Sequence, residues 1–208
     1  MRIGIFGGSF DPVHLGHLWI GEAATEKLTL DRLLWIPSAT QPLKPNGPVA
    51  GAEDRLEMLR LAISGRFGHQ VDDREIRRAG ISYSVDTVAE LKNENPDADL
   101  FFIIGSDSLS SIERWHQPAR LLSLATLSVV QRGGEEPVDF SVLHGLVDQV
   151  RIDLFRRCVI EMPVIEISSS EIRSRAGQGR GIRHLVPRAV EAYLAAHPIY
   201  QPKKESYA

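Results

Sequence analysis

Four short, nearly continuous apolar runs stand out along the chain: Arg2–Phe6, Leu33–Pro37, Leu100–Ile104 and Thr126–Val130. Runs of this kind, without polar alternation, suit strands covered on both faces, where neither side meets water. Between them the spacing turns helical. His17–Leu28 reads as a helix, Glu53–Ile63 sets Leu56, Leu59 and Ile63 on one stripe behind an acidic first turn, and Val85–Lys92 is a shorter helix. Pro187–Ala196 carries its proline where a missing N–H is harmless, and His197–Pro198 closes it. Strands alternating with helices predict an α/β fold, a Rossmann-like open and mostly parallel sheet with helices on both faces. Residues 168–200 are expected to form a small C-terminal helical appendage, all within a single domain spanning 1–208.

Composition narrows the class without changing this picture. With 43% hydrophobic and 25% charged residues, the chain is neither a disordered tract nor a fibrous repeat. The single cysteine, Cys158, offers no intramolecular disulfide and no Cys-rich zinc site, and between Arg157 and Val159 it reads as structural. A net charge of −3 supplies no global field for a nucleic-acid backbone, so no nucleic-acid polymer is expected as partner, and anion binding must rest on a local cluster. The longest nearly apolar run, Leu121–Val130, contains Ser123, Thr126 and Ser128 and falls short of the roughly 18 residues that span a bilayer, so no membrane partner is expected. The opening MRIGIFGGSF lacks the basic and apolar segments of a leader, and a cytoplasmic location is expected.

Candidate chemistry begins where the first strand runs into Gly7-Gly8-Ser9-Phe10-Asp11-Pro12-Val13-His14-Leu15-Gly16-His17. A glycine turn between a strand end and a helix start is where an α/β sheet places its ligand, and free N–H groups there favour anions. Neither GxxxxGK[ST] nor GxGxxG fits, so any phosphate is held by another arrangement. His14 and His17, three apart, share a helix face. They could be two metal ligands without a third nearby, ordinary core or surface histidines, or phosphate ligands whose imidazoles a polyphosphate biases toward the charged form. A second cluster is Ile167-Ser168-Ser169-Ser170-Glu171-Ile172-Arg173-Ser174-Arg175. Arginines 173, 175, 180 and 183 stand against the single acid Glu171, which reads either as a polyphosphate cradle at a helix start or as a capped helix with a solvated basic face. The segment Pro37–Pro48 holds four of the twelve prolines and carries Lys44, as a surface connection or a substrate-facing loop.

Together, GGSFDPVHLGHL resembles the (T/H)xGH signature of the nucleotidyltransferase α/β phosphodiesterase superfamily, and ISSSEIRSR its ISSTxIR partner. More narrowly the chain resembles the bacterial nicotinate-nucleotide adenylyltransferase family almost end to end, through PSATQPLKP, Arg55–Ala62, Tyr83-Ser84-Val85-Asp86-Thr87, IIGSDSL, Trp115, VVQR and VPRAVEAYLAAHPIY. The resemblance implies a reaction in NAD biosynthesis in which ATP and nicotinate mononucleotide give nicotinate adenine dinucleotide and pyrophosphate. Mg²⁺ would be carried on the ATP phosphates, with no metal ligands assigned to the protein. Carried onto this chain, His14, His17 and Arg173 are catalytic. Gly7, Gly8, Ser9, Phe10, His14, His17, Gly105, Asp107, Ser169, Ser170 and Arg173 surround ATP. Ser9, Lys44, Thr87, Asp107 and Trp115 surround the mononucleotide, with Trp115 under the nicotinate ring. Ser170 replaces a threonine common in the family but keeps a hydroxyl, and His116 has no role assigned. Trp115 could instead cap a hydrophobic core, and Asp107 a helix. An enzyme preferring nicotinamide mononucleotide and a non-catalytic nucleotide sensor remain open, as does a homo-oligomer. Pantetheine-phosphate adenylyltransferase shares the HxGH half but lacks YSxDT and GSDSL–Trp.

Overall fold

A computed structural model of the chain describes residues 1–43, 47–134 and 136–201. Six strands form one sheet: β1 (Arg2–Gly8), β2 (Arg32–Pro37), β3 (His69–Val71), β4 (Asp99–Gly105), β5 (Thr126–Arg132) and β6 (Ile160–Met162). Their order is β3-β2-β1-β4-β5-β6, and every pairing is parallel. The chain winds outward from β1 to one edge, returns to β4 on the other side, and so leaves its topological switch at the carboxyl ends of β1 and β4. The four apolar runs are the four central strands. The two short edge strands β3 and β6, three residues each, escape the pattern because so short a segment shows no period.

The period-two alternation of the central strands feeds two separate cores. Phe6, Leu33, Trp35, Phe101 and Ile103 face one, and Ile3, Ile5, Leu34, Ile36, Phe102 and Ile104 the other. On the first face lie α1 (Leu15–Leu28), α2 (Ala52–Ile63), α8 (Ser169–Gly177) and α9 (Arg188–Ala196), through Leu18, Met58, Ile172 and Val190. On the second lie α4 (Ser84–Glu94), the single turn α5 (Ser106–Leu109), α6 (Pro118–Leu124) and α7 (Gln149–Arg157). The short α3 (Arg74–Arg78) buries Glu75 beside α4. Helix α1 seats closely on β2, since a Cβ on Gly21 would stand 2.6 Å from the Trp35 ring.

The expected C-terminal appendage is part of the first helical layer. The Leu15 N–H at the start of α1 donates to the Leu185 carbonyl at 3.0 Å, and the Tyr193 hydroxyl of α9 donates to Asp54 of α2 at 2.8 Å. Cys158 is buried in that core, and burial pushes its thiol above the usual range, which disfavours the thiolate. Among the described residues no helix is long and apolar enough to cross a membrane.

Candidate active site

The loop after β1 is built on packing as much as on glycine. Phe10 has a left-handed φ of 47°, unusual for a residue with a side chain, and its ring is 1% exposed. It stands edge-on to Phe6 and to His17 at 5.5 and 5.1 Å between centroids, so it is a floor beneath His17, and its side chain does not line the cavity above. A Cβ on Gly8 would come 3.1 Å from that ring, which explains the glycine. From below, the buried Arg55 of α2 donates to the Ser9 carbonyl at 2.8 Å. Burial draws its guanidinium below the ordinary range, Asp11 opposes that, and its Nε has no hydrogen-bond partner among the described residues.

His14 caps α1, and the two histidines cap each other. The His17 N–H donates to His14 Nδ1 and the His14 N–H to His17 Nδ1, both at 3.3 Å. A ring whose Nδ1 accepts carries its proton on Nε2, so in each imidazole the donor is Nε2–H. The rings stack at 3.7 Å with 24° between their planes, and a Cβ on Gly16 would lie 3.1 Å from the His14 ring, so the glycine between them makes room for the stack. His14 is pushed down to about 4, first by burial and then by the charge of Arg132. With no polyphosphate beside it, His14 is therefore a neutral donor.

A cavity of about 480 Å³ opens above these rings at the carboxyl ends of the strands. Ser9, His14, His17, Ser169, Ser170 and Arg173, all anticipated, line it. Ser168 caps α8 by accepting from the Glu171 N–H at 3.2 Å, while Ser169 donates to the Pro12 carbonyl at 2.9 Å and ties α8 to the loop after β1. Of the four arginines in this segment Arg173 alone reaches the cavity lining. Arg175 turns back to the Gly181 carbonyl, and Arg180 and Arg183 are exposed elsewhere. The second cation at the cavity is Arg132, at the end of β5, which no local charge cluster announces. Ser38, Gln41, Gly47 and Pro48 bring both described ends of the proline-rich loop to the rim, while Lys44 lies outside the described residues.

Of the residues expected around the mononucleotide, Ser9 lines this cavity, while Thr87, Asp107 and Trp115 stand apart from it, as does Gly105. Gly105 ends β4 exposed, with open space where a Cβ would sit, and Asp107 is exposed on α5 with no capping bond. Thr87 is 1% exposed, donating its hydroxyl to Glu75 at 2.7 Å and accepting from Arg78 at 2.8 Å, so it braces α3 against α4. Burial raises the Glu75 carboxyl, against the lowering effect of its bonds to Thr87 and Ser82. The half-buried Trp115 meets Phe102 edge-on at 6.0 Å and donates Nε1–H to Ser111 at 3.4 Å, while His116 packs on Tyr83 at 4.4 Å. Gly7, one residue before the end of β1, is exposed beside Ile36 of β2 and is absent from the cavity lining.

Among the described residues no group of three or more His, Cys, Asp or Glu is placed to hold a metal ion. Asp11 is the one acid among the described lining residues, and both its oxygens are taken, by the Val49 and Ala50 N–H groups and the Tyr200 hydroxyl. The sequence motifs leave Asp11 without a role. Its hint is an acid buried in an otherwise phosphate-suited loop.

The cytidylyltransferase-like family pattern matches residues 5–175. A relative from Rhodopirellula baltica, named probable nicotinate-nucleotide adenylyltransferase, is 49% identical over 96% of this chain and 93% of its own length. One of the same name from Thermomicrobium roseum is 40% identical over 96% and 92%. Among solved structures, the Plasmodium falciparum nicotinic acid mononucleotide adenylyltransferase complexed with NaAD is similar with a TM-score of 0.70 over 96% of this chain and 97% of that one. At 17% identity that likeness speaks for the fold alone.

Proposed function

The chain belongs to the cytidylyltransferase-like family and, within it, to the nicotinate-nucleotide adenylyltransferases, and from that premise we propose that it joins ATP to nicotinate mononucleotide, releasing pyrophosphate. The observation that carries this reading is the mutual cap of His14 and His17, which turns a helix start into a pair of ring donors beside a cavity that Arg132, Arg173 and the start of α8 also line.

In this reading the 5′-phosphate of the mononucleotide attacks the α-phosphorus of ATP, and pyrophosphate leaves in line with it. The phosphorus–oxygen bond formed replaces the one broken, so no side-chain nucleophile is required, and rate comes from positioning and charge stabilisation. His14 and His17 donate from Nε2 to phosphoryl oxygens that gain charge, Ser170 and Arg173 hold the terminal phosphates, and Arg132 adds positive field. A neutral His14 suits this role, because a ring that keeps its Nε2 proton remains a donor as charge develops on the phosphoryl oxygens. ATP would enter as its magnesium complex, and the ion would supply charge neutralisation to the phosphates that Ser170 and Arg173 would hold. Gly105, Asp107 and Trp115 are proposed to receive the mononucleotide along the β4 edge, with Thr87 supporting that edge from within.

Pyrophosphate release by the purified protein with MgATP tests the reading, with nicotinate mononucleotide, nicotinamide mononucleotide and phosphopantetheine offered separately. We expect kcat/KM for the nicotinate form at least about tenfold above the amide. Preference for the amide would overturn the substrate, and ATP binding without release for any acceptor would make the protein a nucleotide sensor.

A further inference from the structure

Asp11 is 2% exposed, and its carboxylate joins three segments remote in sequence. Oδ2 accepts the Val49 N–H at 2.7 Å, while Oδ1 accepts the Ala50 N–H at 3.0 Å and the Tyr200 hydroxyl at 2.8 Å. Arg173 approaches the same residue differently. Its short bond, 2.7 Å, goes to the Asp11 main-chain carbonyl, and Nη1 stays 3.6 Å from Oδ2. A buried carboxylate this close to a guanidinium ordinarily draws it into a short, forked pair. Here three uncharged donors already satisfy the carboxylate, and the Arg173 side chain remains 30% exposed at the cavity. Two of those donors are backbone groups. The third is a side chain at the far end of the fold, after α9, whose phenol burial and Asp11 push well above its ordinary range, so it stays a donor.

We propose that Tyr200 is a positioning residue for phosphate binding: by donating to Asp11 it keeps that carboxylate from capturing Arg173, whose guanidinium then stays available to the terminal phosphates of ATP. The proposal rests on reading the cavity as the triphosphate site. Removing the hydroxyl leaves Oδ1 short of a donor, and Arg173, with Nη1 3.6 Å from Oδ2, is within ion-pair reach to compensate. The C-terminal segment thereby tunes the charge available to substrate without touching it.

Calorimetric titration of inorganic pyrophosphate into the full-length wild type, Tyr200→Phe, Arg173→Ala and the double variant tests this, with Tyr193→Phe as control. Tyr193 makes a like bond to Asp54 at 2.8 Å, and among the described residues it makes none to Asp11. Tyr200→Phe should weaken pyrophosphate binding about fivefold to tenfold and add nothing once Arg173 is alanine, the non-additivity expected of two residues acting through one contact. Phenylalanine keeps the ring and its packing. Should it nonetheless melt early, Tyr200→Leu must show the same dependence on Arg173. Unchanged affinity in Tyr200→Phe, a full further loss on Arg173→Ala, or an equal loss in Tyr193→Phe would each overturn the proposal. A wild type that binds neither pyrophosphate nor ATP would instead remove the triphosphate reading beneath it.

Discussion

The carboxyl edge of the sheet carries two candidate half-sites that are built differently. Around β1, α1 and α8 the functional groups are locked by short-range bonds and line a common cavity: two histidines cap one another, a serine tethers α8 to the loop after β1, and Arg173 rests on a main-chain carbonyl. Along β4 and α4 the corresponding side chains engage each other or the core, Thr87 with Glu75 and Arg78, Trp115 with Phe102 and Ser111, His116 with Tyr83. The difference follows from the ligands each half would take. Phosphates are served by backbone N–H groups and helix starts, which folding orients for other reasons. A flat heterocycle is served by aromatic faces that bury themselves when no ring is present. In the proposed reading the first half is set before ATP arrives, and the second releases contacts to receive the mononucleotide.

The largest expected effect lies in the preset half. His17→Ala should lower turnover by roughly 10²–10³, the scale of losing a transition-state donor, as read by steady-state pyrophosphate release. Turnover near wild type would erase the distinction between the halves. Next comes the pH dependence of stability. His14 titrates near 6.5 when unfolded and about 4 when folded, so the unfolded chain binds the extra proton between those values. Its contribution is complete above about pH 6.5 and is lost as pH falls toward 4, by up to roughly 3 kcal/mol. His14→Asn retains a capping side chain, and its denaturation midpoint should fall less with acid than that of the wild type. His69, lowered by burial and Arg66, titrates in both proteins and drops out of the difference. In the other half, Trp115→Ala should raise KM for the mononucleotide about tenfold while leaving KM for ATP near wild type, as stacking loss predicts. Equal rises in both would mean that Trp115 packs and does not bind. The smallest effect is Gly16→Ala, whose methyl would press the His14 ring at 3.1 Å and should reduce turnover about threefold by disturbing the stack.

Legibility in the amino-acid sequence follows the same division. The central strands are legible because burial on both faces leaves unbroken apolar runs, and the HxGH and ISSSxIR segments because a cap and its helix lie within four residues. Arg132 is not, since only the strand order brings the end of β5 to the same cavity as α1. Asp11 is not either, its partners lying 38, 39 and 189 positions away. The basic run from Arg173 to Arg183 misleads for the opposite reason: neighbours in sequence diverge once α8 ends, and Arg175 satisfies a carbonyl of its own loop.

The preset half depends on both imidazoles carrying their proton on Nε2 before ATP binds. Nitrogen-15 NMR of the free protein at pH 7, with His14 and His17 assigned by substitution, measures this directly. Both rings should show a bare Nδ1 and a protonated Nε2, and a non-hydrolysable ATP analogue should shift the Nε2 signals. A proton on Nδ1 of either ring in the free protein would contradict the mutual cap and, with it, the claim that the phosphate half is built in advance.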